Sequence, residues 1–146
     1  MRTNRLPAVF SVLALCLLLA GCFSSPETQV ENTLDAREKA LNSLDVDAYT
    51  ALFHPDYQYR SDEIETITSK ISKRFMAYQS IHISTHNRRI TFEEDGNIAR
   101  VVQEFRLVTV DIDGNRKSAE GTEHFLLKRK RSLFRSSYLF YEGLGV

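Results

Sequence analysis

Carboxylate, imidazole and phenol side chains occur along the chain from position 56 onward, and these groups could carry out acid–base chemistry. A buried carboxylate with a raised pKa can move a proton next to a carbonyl, and a phenol can donate to the developing oxyanion. Because charged strand residues are mostly exposed, the simpler expectation for each group is a polar surface contact. The candidates are the carboxylates Asp56, Glu104, Glu120 and Glu123, the imidazoles His82, His86 and His124, and the phenols Tyr57, Tyr59 and Tyr138.

The alternation of side chains along a predicted strand tests the two histidines at its start. His82 and His86 share one face, together with Arg88, whereas Ile81 and Ile83 occupy the other. The isoleucines indicate that theirs is the buried face, so we expect both histidines to point outward. They would lie about 13 Å apart, at ~3.3 Å per residue, which is too far for a shared metal. We therefore expect no metal, and with no glycine-rich phosphate loop we expect no cofactor.

The same alternation assigns the residues of the later strands to one face of the sheet or the other. Glu104 and Arg106 fall opposite the apolar face, which predicts a solvated or interface pair. For the third strand the pattern does not decide between the face with Glu123 and the face with His124. The second strand divides into Val101, Gln103, Phe105 and Leu107 against Val102, Glu104, Arg106 and Val108, and the last carries an aromatic face of Phe134, Ser136, Tyr138 and Phe140.

Helical periodicity precedes these strands. Ser25 can cap a helix that has Pro26 at its first position, and a second, shorter helix is predicted from an N-cap at Asp47 to His54. Residues 57–59 alternate as a short strand would. Asp62 and Glu65 form a capping pattern for a third helix. Its apolar stripe is Ile64, Ile67, Ile71, Phe75 and Tyr78.

Turn signals divide the remaining chain into an antiparallel meander. Asp95-Gly96 and the segment 113–115 are tight-turn sequences, and the basic stretch 129–132 is predicted to make the third turn. Helices followed by strands indicate an α+β fold with three N-terminal helices on one face of a strongly curved sheet. The predicted strands are Ile81 to Glu93, Ile98 to Asp111, Lys117 to Lys128 and Leu133 to Tyr141.

The N-terminal segment has a basic head with Arg2 and Arg5, then an apolar run that ends at Ala20-Gly21-Cys22. This arrangement is typical of a secretory signal and is too short for a comfortable membrane span. Small residues before the cysteine resemble the lipobox of bacterial lipoproteins. The resemblance implies cleavage after Gly21 and a lipid on Cys22. We therefore expect a signal peptide over 1–21, a lipidated cysteine and tether over 22–26, and one domain over 27–146.

Cleavage would leave 125 of the 146 residues, a size for one domain with a real core. Loss of Arg2 and Arg5 leaves 17 basic against 19 acidic residues, a net charge of −2 that disfavours nucleic-acid binding. Cys16 would leave with the signal and Cys22 would be acylated, so no thiol would remain for a disulfide or a metal. The lack of Asp at position 23 favours the outer membrane in a Gram-negative cell, by the same resemblance.

The order of elements resembles the nuclear transport factor 2-like superfamily. The run from Asp45 through Asp56 to Tyr59 is similar to a motif of its SnoaL-like members, Asp-x-Asp-Ala…Leu-Phe-x-Pro-Asp-x-x-Tyr. Many relatives begin the last strand with Trp, where this chain has Phe134. The resemblance implies a cone with an apolar pocket, in folds that serve both enzymes and proteins without catalysis.

Three functions remain open on this resemblance. The leading hypothesis is a non-catalytic, lipid-anchored domain that binds a small apolar ligand or a protein partner, with a pocket of Tyr57, Tyr59, Phe105 and Tyr138. The second is a SnoaL-like isomerase, dehydratase or cyclase that uses Asp56 or Glu123 with tyrosines. The third is an envelope module that forms a homodimer through Val102, Val108 and Val110 on the outer sheet face.

Overall fold

The computed structural model describes residues 24–57, 64–133 and 136–143. The first helix, α1 (Pro26–Asn42), begins as the sequence predicts: the Ser25 side chain accepts a hydrogen bond from the Thr28 N–H at 3.1 Å. This N-cap satisfies one of the unpaired donors of the first turn. The side chains that α1 buries include Val30, Leu34 and Arg37. The predicted signal, Cys22 and residue 23 lie outside the described residues.

The second helix, α2 (Val46–Thr50), is capped by Asp45, which accepts from the Ala48 N–H at 2.9 Å. The predicted cap at Asp47 is therefore wrong by two residues. After α2 the chain runs along the sheet, where the backbone of Phe53 bridges to Phe140. Of the predicted strand over 57–59 only Tyr57 is described, and it lies outside any strand.

The third helix, α3 (Ile64–Met76), packs Ile67, Ile71 and Phe75 into the core, as the apolar stripe predicts. Tyr78 does not continue that stripe. It is instead the first residue of strand β1 (Tyr78–Glu93), because the helix ends at Met76. The predicted opening of α3 at Asp62 lies outside the described residues.

Within the described residues, β1 and the strands β2 (Ile98–Asp111), β3 (Arg116–Arg131) and β4 (Ser136–Glu142) form one antiparallel sheet in sequence order. β2 begins and ends where the sequence predicts. The predicted turn at 129–132 is wrong at its start, because Arg129, Lys130 and Arg131 pair with β4. The α+β prediction is confirmed, with α1 packed on β1 and β4.

A β-bulge interrupts the alternation of β1. The register with β2 shifts between His86 and Arg89, and Asn87 adopts a φ of 53°. The extra residue turns Arg88 to the helix side of the sheet, where it contacts Gln103 and Glu31. The predicted placement of Arg88 beside the outward histidines is therefore wrong, because strict alternation does not survive a bulge.

The inner face of the sheet and the three helices share one core. Ile81 and Ile83 are buried while His82 and His86 are exposed, as predicted. On β3, alternation did not decide which of the two faces is buried. The face with Glu123 is the inner one, because Phe125 and Leu127 are buried. On β4 the aromatic face is confirmed for Tyr138 and Phe140, and Phe134 lies outside the described residues.

Candidate functional site

A cavity of about 390 Å³ lies between the helices and the inner face of the sheet. This volume is within the range of small-molecule pockets, about 300–1,000 Å³. The helices supply one wall, and β1, β2 and β3 supply the other. Seven of the lining side chains are apolar: Leu41, Ile71, Phe75, Ile81, Ile83, Phe105 and Leu107. The other six are Arg37, Tyr49, Arg74, Tyr78, Thr109 and Glu123.

Arg37 and Glu123 form a bidentate ion pair on the cavity wall. The guanidinium Nη1 donates to Oε1 at 2.9 Å, and Nη2 donates to Oε2 at 3.0 Å. The two side chains are only 8% and 15% exposed, so water screens this pair weakly. The Gln103 amide also donates to Oε1 at 2.7 Å, and Arg37 lies over the Phe125 ring, 4.8 Å from its centroid. Glu123 is thus held by three hydrogen bonds.

The hydrogen-bond network continues from Glu123 to the outer side of α1. Gln103, which is 1% exposed, accepts from the Arg88 Nε at 3.0 Å. Arg88 in turn donates to Glu31 and Asp35 of α1, each at 2.6 Å. A carboxylate in this network is fixed on both sides, so the network positions Glu123 rather than leaving it free to move.

Tyr49 brings a phenol to the same cavity. α2 points this side chain inward, where its ring packs against Phe53 and Phe75 at centroid distances of 5.7 and 5.5 Å. Burial raises the pKa of the Tyr49 hydroxyl, and the positive charge of Arg37 opposes that shift. The phenol is therefore protonated at neutral pH, so its O–H can donate a hydrogen bond.

Of the predicted catalytic carboxylates, Glu123 lines the cavity and Asp56 lies outside it. The Asp56 side chain is 59% exposed and accepts from the Lys128 Nζ at 2.7 Å. This hydrogen bond and the charge of Lys128 lower the pKa of Asp56, the opposite of what a general acid needs at neutral pH. Asp56 also lies beside the buried His54, whose Nδ1 accepts from the Asp56 backbone N–H at 3.1 Å.

Of the four predicted pocket residues, Phe105 lines the cavity. Tyr57 and Tyr138 are 2% and 0% exposed and belong to the hydrophobic core. The Tyr138 hydroxyl donates to the Gly96 carbonyl oxygen, so it is committed to the β1–β2 turn. Tyr59 lies outside the described residues.

The other titratable candidates are on the surface. Arg106 pairs with Glu120 across the strands at 3.5 Å, and Glu104 pairs with His86 at 3.1 Å. Glu104 and Arg106 are thus exposed as predicted, but each contacts a neighbouring strand rather than the other. His124 is also exposed. Within residues 24–57, 64–133 and 136–143, no cluster of His, Cys, Asp and Glu could hold a metal ion.

Four residues of the site were not among those predicted from the sequence: Arg37, Arg74, Tyr49 and Gln103. A signal was present for the arginines: Arg37 falls three residues after Leu34 on the apolar stripe of α1, and Arg74 falls three residues after Ile71. A charged residue within an apolar stripe indicates a buried partner or a site. Gln103 was likewise the polar member of the apolar face of β2.

Comparison with known proteins identifies the fold. No family model and no curated protein matches the sequence. A provisionally named aromatic ring hydroxylase from Novosphingobium aromaticivorans is 18% identical, with a TM-score of 0.66 over 85% of this chain and 94% of that chain. A provisionally named dehydratase of the NTF2-like family from Streptomyces avermitilis is 12% identical, with a TM-score of 0.64 over 80% and 94%.

A third similar structure is ActVI-ORFA from Streptomyces coelicolor, at 15% identity and a TM-score of 0.62 over 79% of this chain and 92% of that chain. At these identities the likeness is one of fold. The chain has the nuclear transport factor 2-like fold, as the order of its elements predicts, and the similar structures carry several different names. Fold alone therefore does not assign a reaction.

Proposed function

We propose that the domain binds a small apolar molecule in the cavity and does so without catalysing a reaction. The observation that carries this proposal is the lining of seven apolar side chains around about 390 Å³. Apolar walls with a few polar groups are typical of ligand sites, because burial of apolar surface supplies affinity and the polar groups fix orientation.

The state of Glu123 supports binding over catalysis. A general base needs a lone pair directed at the substrate, whereas both Glu123 oxygens already accept from Arg37. The adjacent positive charge of Arg37 also favours the ionised carboxylate, which makes Glu123 a weaker base. In the proposal, Glu123 neutralises Arg37 and fixes the cavity wall.

A fluorescent apolar probe, N-phenyl-1-naphthylamine, tests the proposal. Leu107→Trp places a larger ring on the cavity wall, and Leu133→Trp makes the same substitution at a side chain that is 94% exposed. We expect the wild type and Leu133→Trp to bind one probe, and Leu107→Trp to bind about tenfold more weakly. A folded Leu107→Trp protein that binds the probe as tightly as the wild type would exclude the cavity as the binding site.

The alternative is a SnoaL-like isomerase, dehydratase or cyclase. Tyr49 favours it, because a buried, protonated phenol beside a carboxylate can stabilise a developing oxyanion. The names of the similar hydroxylase, dehydratase and ActVI-ORFA structures also favour it. For this chemistry the sequence predicts Asp56 or Glu123 as the carboxylate, with Tyr57, Tyr59 or Tyr138. If a turned-over substrate is found, unchanged kcat in Asp56→Asn or Glu123→Gln would remove that carboxylate from the mechanism.

We also propose that a lipid on Cys22 anchors the domain to the cell envelope, at the periplasmic face of the outer membrane in a Gram-negative cell. The support is the sequence alone: a basic head, an apolar run and Leu19-Ala20-Gly21-Cys22. Among the described residues, no helix has the length and apolarity needed to cross a membrane.

Metabolic labelling with palmitate tests the anchor. Cys22→Ser should abolish the label and release the protein from membranes, and Cys16→Ser, which alters the other cysteine, should change neither. Labelled Cys22→Ser protein would contradict the proposal.

A further inference from the structure

The positive and negative charges of the side chains that line the cavity do not cancel. Two guanidinium groups, those of Arg37 and Arg74, line it together with one carboxylate, that of Glu123. Both oxygens of this carboxylate accept from Arg37, so its charge is paired. Arg74 forms no ion pair within the described ranges, and it is exposed, which places it at the opening of the cavity. The positive charge of Arg74 therefore lines the cavity without a counter-charge among the described residues.

Two side chains on the wall, those of Arg37 and Tyr49, carry further hydrogen-bond donors. The Nε of Arg37 is buried and has no hydrogen-bond partner in the part of the chain that the structure describes. An unsatisfied buried donor is energetically costly, and it adds to the positive character of this wall. The hydroxyl of Tyr49, on the same wall, is a second donor.

We propose that the ligand class of this cavity is a small apolar molecule that carries one carboxylate. The apolar body would pack between α3 and the sheet, and the carboxylate would bind Arg74 at the opening, with the Tyr49 hydroxyl as a further donor. This inference rests on the proposed binding function and specifies its ligand. A carboxylate suits the site because guanidinium pairs with it through two parallel hydrogen bonds.

Pairs of acids and alcohols that share the same apolar body show how much the carboxylate contributes to the binding affinity. The probes are benzoate and benzyl alcohol, 2-naphthoate and 2-naphthalenemethanol, and decanoate and decanol, each titrated by calorimetry against the folded domain. In at least one pair we expect the acid to bind about tenfold more tightly than the alcohol. That advantage should shrink when salt rises from about 0.05 M to about 0.5 M, because Arg74 is exposed.

Arg74→Gln and Lys73→Gln remove the same charge from adjacent positions of α3, and Lys73 is exposed and does not line the cavity. Arg74→Gln should lower the affinity for the acid about tenfold and leave that for the alcohol unchanged, whereas Lys73→Gln should change neither. Equal losses in both variants, or alcohols that bind as tightly as acids, would overturn the carboxylate assignment and leave the apolar cavity standing. Binding of no acid and no alcohol would overturn the proposed function itself.

Discussion

The ion pair between Arg37 and Glu123 joins α1 to β3 beside the cavity. Removing one partner leaves the other charge mostly buried, which costs about 3–5 kcal/mol. We expect Glu123→Ala to lower the free energy of unfolding by about 3 kcal/mol, the low end of that range, because the pair is not fully buried. Urea unfolding, with the midpoint and slope both fitted, measures it.

The double variant supplies the control for that experiment. Arg37→Met together with Glu123→Leu removes both charges and keeps apolar volume, so it should cost less than the sum of the single substitutions. Additive costs would mean that the two groups do not interact in solution.

His54 gives the protein a pH dependence near neutrality. Burial lowers the pKa of His54, Lys128 and Lys130 act in the same direction, and the charge of Asp56 opposes them. As the pH falls below the ordinary histidine value of about 6.5, the unfolded chain takes up this proton before the folded protein does. Stability from His54 is therefore present above that value and is lost as the pH falls through the folded-state pKa.

Unfolding free energies between about pH 7.5 and about pH 5.5 measure this effect. The wild type should lose stability across the range, and His54→Gln should lose less. His82→Gln, which removes an exposed imidazole from the outer face of β1, should keep the wild-type slope. If His54→Gln also kept that slope, the pH dependence would belong to other groups.

The bulge in β1 determines what that strand presents to α1. Asn87 has a φ of 53°, a conformation that asparagine and glycine adopt far more readily than β-branched residues. Asn87→Val should therefore cost about 1–2 kcal/mol of stability and disturb the placement of Arg88. Asn87→Gly should change stability by less than about 0.5 kcal/mol, although it removes the exposed hydrogen bond to Glu104. Thermal unfolding of the two variants distinguishes a required backbone conformation from a required side chain.

The outer face of the sheet presents partly exposed valines. Val102, Val108 and Val110 alternate along β2 on the side away from the helices. An apolar strip on an open sheet face is stabilised when a second molecule covers it, so the homodimer remains a prediction. Analytical ultracentrifugation should give a dimer for the wild type and a monomer for Val108→Lys. A wild type that stays monomeric at high concentration would exclude this interface.

The order of the elements and much of their extent can be read from local sequence patterns. The α3 stripe, the inward isoleucines of β1, the bounds of β2 and the turn at Asp95-Gly96 all depend on residues that are neighbours in the chain. Side-chain periodicity and turn stereochemistry act over a few residues, so they are visible without the fold. The α+β architecture follows from that order.

Which side chains meet in the cavity depends on the packing of elements that are distant in the chain. Arg37 and Glu123 are 86 positions apart, and Arg88 faces α1 because the register shifts at one bulge. Asp56 lies outside the cavity because Pro55 and the Lys128 contact hold its turn at the surface. Such contacts depend on how distant elements pack and on single-residue shifts of register, and a one-residue shift sends a strand's side chains to the opposite face.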